Sequence, residues 1–207
     1  MAVETVAFGP LTVTFDERVL RPRAWTLGQA AWAAQLAAGM PEGPILELCS
    51  GAGHIGQAAA ALSGRHVVQV DLDPHACELA AANASANGLG EQVRVECADL
   101  ATWTGDGTRF PLVLADPPYL PRHEVPAWPD DPELAIDGGG PAGLELPRRC
   151  LAAAARHLAP GGAVLLQALG AEQVEALAAD LVAAGLAVVE VRAEDARRAV
   201  ALLRRRA

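Results

Sequence analysis

Short apolar runs alternate along this chain with Ala-rich stretches of helical spacing, a pattern that predicts strands and helices taken in turn. Strands are expected at Ile45–Cys49, His66–Val70, Gln92–Cys97, Leu112–Ala115, Ala163–Ala168 and Ala187–Val191. Helices are expected near Ile55–Leu62, Pro74–Asn87, Leu144–Leu158 and Ala171–Ala184. Such alternation implies an α/β fold, a mostly parallel sheet with helices on both faces. Ala199–Leu203 reads as a last strand. Only a short turn separates it from its predecessor, so the two should pair antiparallel and complete a seven-stranded sheet. Pro74 suits a first helical turn, with Asp73 as its cap, and Asn87-Gly88 and Gly185 suit helix stops.

Two segments fall outside this rhythm. Val3 to Phe8 and Leu11 to Phe15 read as strands joined at Gly9-Pro10, a hairpin or cover within residues 1–24. After the extended Arg21-Pro22-Arg23, Thr26 is placed to cap a helix running to about Ala38. Residues 117–143 carry seven of the fifteen prolines and four glycines. A loop of that length inside a compact domain is usually functional, and this one reads as a substrate-facing lid.

At 207 residues, 52% apolar, the chain fits one domain spanning 1–207. No apolar run reaches the ~18 residues that cross a bilayer. Met1-Ala2-Val3-Glu4 lacks the basic, apolar start of a leader, and a cytoplasmic protein is the expectation. Cys49, Cys77, Cys97 and Cys150 form no Cys-x-x-Cys pair, which leaves no metal expected and buried structural thiols as the default. Net charge is −9, and all sixteen basic residues are Arg. That acidity disfavours unspecific binding to nucleic acid, which needs phosphate neutralisation. The basic tail, Arg197-Arg198 and Arg204-Arg205-Arg206, reads as the flanks of a solvated edge strand.

Candidate chemistry lies at the C-terminal ends of the strands. Gly51-Ala52-Gly53-His54-Ile55-Gly56 matches G-x-G-x-x-G where a strand passes into a helix, so backbone N–H groups can approach a ligand. Asp71 ends the next strand, where a carboxylate can accept from two ribose hydroxyls. Asp99 follows the third strand and can accept from an adenine amino group. Leu72 and Leu100, next to these acids, join the set. Two cofactor classes fit these positions: a nicotinamide dinucleotide and S-adenosylmethionine. The fourth strand then runs into Asp116-Pro117-Pro118-Tyr119. Here Asp116 and the Pro117 carbonyl offer acceptors for both N–H groups of a planar nitrogen. Pro118 stiffens the turn and Tyr119 offers a stacking face.

Glu47-Leu48-Cys49-Ser50-Gly51-Ala52-Gly53 resembles the acidic-x-x-x-Gly-x-Gly motif of class I S-adenosylmethionine-dependent methyltransferases. The resemblance implies a Rossmann-like fold. It places Glu47, Cys49, Gly51 and Gly53 around the cofactor's methionine part, with Asp71 on ribose and Asp99 on adenine. Asp116-Pro117-Pro118-Tyr119 resembles the proline motif of amino-methyltransferases, the HemK/PrmC family of protein glutamine methyltransferases above all. Three further stretches resemble that family: Arg21-Pro22-Arg23-Ala24-Trp25-Thr26, Ile136-Asp137-Gly138-Gly139 with Gly143-Leu144, and Leu158-Ala159-Pro160-Gly161-Gly162. The likeness implies N-methylation of a protein glutamine amide, leaving S-adenosylhomocysteine, with Asp116, Pro117 and Tyr119 acting on the acceptor and Thr26 and Asp116 also near the cofactor. The chain departs from the family twice. It has Asp116 where Asn is usual, and it resembles the family's short form, which lacks the bacterial members' N-terminal helical domain and works with a partner protein. RNA or DNA bases and small amines remain alternative acceptors. A nicotinamide dehydrogenase and a non-catalytic cofactor-binding scaffold are the readings from other classes. The acceptor's partner proteins and the oligomeric state are not encoded in these motifs.

Overall fold

A computed structural model describes residues 3–206. Met1, Ala2 and Ala207 lie outside the described residues, and with them half of the Met1–Glu4 segment read above for a leader. Among the described residues no helix is long and apolar enough to cross a membrane.

The chain opens with the hairpin β1 (Glu4–Phe8) and β2 (Leu11–Phe15). Then follow α1 (Leu27–Ala37), β3 (Ile45–Leu48), α2 (His54–Ser63), β4 (Val67–Asp71), α3 (Pro74–Ala86), β5 (Val93–Cys97) and β6 (Phe110–Ala115). A single-turn α4 (Glu133–Ile136) sits inside the proline-rich segment. α5 (Glu145–His157), β7 (Leu158–Ala168), α6 (Gly170–Ala176), α7 (Ala178–Ala183), β8 (Leu186–Asp195) and β9 (Arg198–Arg205) complete it.

The main sheet has the order β5-β4-β3-β6-β7-β9-β8. β5, β4, β3, β6 and β7 run parallel, and β9 runs antiparallel to both of its neighbours. Strand order reverses between β3 and β6, and the crevice above such a switch point is where open α/β sheets hold ligands. Alternation along the strands makes two cores. Ile45, Leu112, Leu114 and Leu165 face one side, packed by α1 and α2. Leu46, Leu48, Val113 and Leu166 face the other, packed with Leu151 of α5 and Val174 of α6.

The hairpin docks on α3 through side chains that imitate a strand partner. Asn83 accepts from Thr14 N at 2.8 Å and donates to Thr14 O at 2.9 Å. Asn87 does the same for Thr12, at 3.0 and 2.9 Å. The second Asn83 hydrogen reaches Ala52 O at 3.0 Å, so the cover braces the glycine loop.

Three expectations are corrected. Thr26 does not cap α1: it closes a 3-10 turn, Ala24–Thr26, and its hydroxyl donates to Arg23 O at 2.8 Å. The single helix expected over Ala171–Ala184 is two, because the buried Leu177 leaves the helical conformation and its N–H is shared between Gln173 O and Val174 O. β8 extends to Asp195, beyond the Val191 expected, because Arg192 and Glu194 on this exposed edge hide the strand from an apolar pattern.

Candidate active site

The candidate strand-end residues other than Glu47 and Gly53 gather above the switch point, around two clefts that share Leu20, Asp116, Pro118 and Ala135.

The first cleft is walled by Cys49, Ser50, Gly51, Asp71, Leu72, Asp99, Leu100 and Asp116. The loop from β3 to α2 is built for close approach. Cys49 takes a left-handed conformation (φ 60), followed by Gly51 (φ 52) and Gly53 (φ 85). Asp71 organises it from below: Oδ2 accepts from Gly51 N at 2.8 Å and Oδ1 from Asp73 N at 3.0 Å. A carboxylate has about four accepting directions, so it keeps accepting capacity beyond these bonds. Burial raises its pKa and those N–H groups oppose the rise. Asp99 accepts from Ala101 N at 2.8 Å and is otherwise exposed to the cleft. Ser50 and His54 line this cleft, while Ser50 Oγ and His54 Nδ1 are themselves buried and have no hydrogen-bond partner among the described residues. Burial holds His54 down to about 4, as a neutral imidazole.

Glu47 and Gly53 lie beneath this loop and do not wall the cleft. Glu47 is fully buried and accepts from Gly56 N at 3.0 Å and from the Gln69 side-chain amide. Burial pushes its carboxyl up to about 8, against the lowering by those two donors. A Cβ on Gly53 would stand 2.3 Å from Gln57 Nε2, so the bare backbone is what lets this network close. The Cys49 and Cys150 thiols stand 3.6 Å apart, and their mutual contact and burial hold the Cys49 thiol protonated.

The second cleft is floored by Asp116, Pro117, Pro118 and Tyr119 and walled by Trp25, Trp128, Ile136 and Leu169. Thr26, expected near the cofactor, lines this cleft and not the first. Burial raises Asp116 to about 7 and lifts the Tyr119 phenol above its ordinary range. Three arginines at the rim are each tied to a carboxylate. Arg23 holds Asp131 through contacts of 2.7 and 2.5 Å, Arg198 holds Asp195 at 2.7 Å, and Arg197 holds Glu124.

Residues 117–143 connect the clefts and are closed by contacts of their own. Leu120 pairs with Asp137, and Arg122 Nε reaches Asp137 at 3.0 Å. Pro132 and Leu134 overhang the first cleft, while Trp128 and Asp131 border the second.

Residues 45–128 match a family described as a methyltransferase domain. The chain is 35% identical to the release factor glutamine methyltransferase of Deinococcus radiodurans, over 87% of this chain and 64% of that protein. It is 36% identical to a ribosomal protein uL3 glutamine methyltransferase of Bradyrhizobium diazoefficiens, over 59% of this chain and 40% of that one. The fold overlays that of the ribosomal protein L11 methylase of Lactobacillus delbrueckii subsp. bulgaricus, with a TM-score of 0.68 at 15% identity, covering 91% of this chain and 82% of the other. Residues 45–128 thus carry a methyltransferase domain. The chain spans less than two thirds of the length of the curated glutamine methyltransferases it matches.

Several residues that line the clefts were not singled out as site residues from the sequence, although Arg23, Trp25, Ser50 and His54 lie inside the motifs quoted above. Arg18, Ser50, His54 and Arg149 line the first cleft, and Arg23, Trp25, Trp128 and Asp131 the second. Arg23 and Asp131 are 108 positions apart, and nothing local announces their contact. A search for polar residues flanking the two motifs could have raised Ser50 and His54, which sit inside the glycine segment itself.

Proposed function

We propose that this protein transfers a methyl group from S-adenosylmethionine to the side-chain nitrogen of a protein glutamine. The observation that carries the reading is the shared position of Asp116 and Pro118, which border both clefts. A donor in the first and an acceptor in the second would meet there.

The first cleft suits the cofactor. Asp71 offers free lone pairs for ribose hydroxyls, Leu72 and Leu100 offer apolar faces for adenine, and Asp99 offers an acceptor for its amino group. Gly51 lets the backbone come close to the methionine part. The bound cofactor supplies an electrophilic methyl group on a sulfonium cation. Four aspartates line this cleft, Asp71, Asp73, Asp99 and Asp116, and an ionised carboxylate near a sulfonium favours its binding.

The acceptor nitrogen of an amide is planar because its lone pair is delocalised. Asp116 accepts one N–H and the Pro117 carbonyl, which has no N–H of its own, accepts the other. Holding both hydrogens out of plane favours a pyramidal nitrogen whose lone pair points at the methyl group. Tyr119 and Trp25 fix the plane of the amide by their flat faces. Once methylated, the nitrogen is acidic and gives up a proton to solvent or to the Asp116 carboxylate, restoring the amide.

The rim favours a peptide over a nucleic acid. Its three arginines are neutralised by Asp131, Asp195 and Glu124, so little positive charge remains for phosphates. The aromatic wall formed by Trp25, Tyr119 and Trp128 suits a polypeptide segment. The relatives' acceptors, release factors and ribosomal protein uL3, are the first candidates.

Calorimetric titration tests the cofactor half. Micromolar binding of S-adenosylmethionine and S-adenosylhomocysteine, with none of NAD, is expected. Binding of NAD alone would overturn the assignment and return Asp116–Tyr119 to an ordinary turn.

A further inference from the structure

The loop that carries the acceptor turn has its two ends pressed together. A Cβ on Gly143 would stand 2.3 Å from Tyr119 O, and one on Gly138 would stand 2.4 Å from Gly143 O and 2.7 Å from Tyr119 Cα. Bare backbones in such contact carry carbonyl groups that need donors. They come from one side chain on another element. Gln173 of α6 is 7% exposed, and its Nε2 donates to Tyr119 O at 2.9 Å and to Ala142 O at 3.1 Å, with Gly143 O at 3.4 Å. Its Oε1 accepts from Leu169 N at 2.8 Å.

The arrangement uses an amide's full capacity, two donors and an acceptor on one planar group. A carboxylate would set an oxygen against two carbonyls, and an aliphatic side chain would leave both carbonyls and the Leu169 N–H unpaired. α6 is itself anchored at its start. Gly170 (φ 74) lies so close to the β8–β9 turn that a Cβ would meet Ala196 O at 2.2 Å. Gln173 thereby joins four pieces: the acceptor turn, the far end of the 117–143 loop, the end of β7 and, through its helix, the turn that presents Arg197 and Arg198. It lines neither cleft, so its effect on chemistry is indirect.

We propose that Gln173 is a positioning residue for methyl transfer: by fixing the Tyr119 carbonyl against Ala142 and Leu169, it sets the orientation of the Asp116–Tyr119 turn that grips the acceptor amide. The inference rests on the acceptor reading of that turn. A small rotation there would move the Pro117 carbonyl and the Tyr119 ring together, and in-line geometry is sensitive to such displacements.

Gln173→Leu and Gln173→Glu in the full chain test it with three readouts. The first is hydrogen exchange of the amides that close the loop base, Leu120 N on Ile136 O and Gly138 N on Leu120 O. These should exchange about tenfold faster or more while β3 and β4 amides stay unchanged. The second is S-adenosylmethionine affinity by calorimetry, which should stay within about twofold because no bond to the first cleft is lost. The third is steady-state transfer to an unmethylated release factor, where kcat should drop about tenfold or more, with KM for the cofactor held. Unchanged exchange at Leu120 and Gly138 would overturn the proposal, as would faster exchange throughout the sheet with loss of the cofactor, which would make Gln173 a general structural residue. Wild-type protein that fails to methylate any glutamine would instead count against the proposed function, and the exchange readout would still decide whether Gln173 holds the turn.

Discussion

Replacing Asp116 by Asn should remove a pH dependence that the wild-type protein carries near neutrality. Burial raises the Asp116 carboxyl from the ordinary 3.8 to about 7, whereas accepting an N–H bond in the proposed mechanism is best done by the ionised form. With a pKa of about 7, roughly a tenth of the carboxyls are ionised at pH 6 and nine tenths at pH 8. The wild-type kcat/KM for S-adenosylmethionine, which reports the free protein, should therefore rise about tenfold between those values. Asp116→Asn should be flat across that window, because the amide oxygen accepts at any pH. It should also be about five- to tenfold slower than wild type at pH 8, the cost of exchanging a charge-assisted bond for a neutral one. Glu47 is pushed to about 8 and titrates nearby, so the variant identifies the group that the wild-type profile alone leaves ambiguous. Stability gives an independent check. A carboxyl raised on folding binds its proton more tightly in the native state, so stability falls as pH rises from about 3.8 to about 7 and is level above. The full effect would be about 4 kcal/mol, and since Asp116 borders both clefts and water reaches it, ~2 kcal/mol is the working figure. Asp116→Asn should thus unfold at higher denaturant than wild type at pH 8 and not at pH 4. An Asp116→Asn profile that keeps the wild-type acidic limb would refute the reasoning.

Three other perturbations probe separate parts of the site. Asp71→Ala should weaken S-adenosylmethionine about 100-fold in calorimetry, because it removes two charge-assisted bonds and orphans Gly51 N, while Asp116→Ala should abolish transfer with cofactor affinity held within about threefold. Unchanged affinity for Asp71→Ala would take that carboxylate off the ribose. Arg23→Glu should loosen the 117–143 loop and raise acceptor KM about fivefold, and Arg23→Glu with Asp131→Arg should recover most of that loss, a coupling of ~1 kcal/mol for a partly exposed pair; simple additivity would show that the pair does not tie the loop. Gly53→Ala should cost about 2 kcal/mol in denaturant unfolding, from left-handed strain plus the displaced Gln57 amide. A loss within measurement error would mean that the loop readjusts freely.

What the sequence reveals of this fold follows from where the chemistry is local. β3, β4 and β6 are buried on both faces, so continuous apolar runs marked them, and the acids and glycines at their ends marked the first cleft. Alternation could not find the break at Leu177, where tertiary packing overrides a run of good helix formers. Nor could it find the last residues of β8, an exposed edge on which Glu190, Arg192 and Glu194 interrupt the pattern. The 117–143 segment was legible as a loop but not as a braced one. Its order comes from Arg23, Arg197 and Gln173, which lie outside it in the chain and carry no local sign of the contact. Glu47 read as part of the cofactor contact because the motif places it there, yet it lies under the loop, and only three dimensions separate touching a ligand from holding what touches it.

The central claim is methyl transfer to a glutamine nitrogen, and one measurement addresses it directly. The protein is incubated with methyl-labelled S-adenosylmethionine and either an unmethylated release factor or ribosomal protein uL3, and the labelled peptide is sequenced by tandem mass spectrometry. The account predicts a gain of one methyl group on a glutamine side chain, absent with Asp116→Ala. Label confined to a nucleic acid or to another residue type, or no label on either protein, would contradict it.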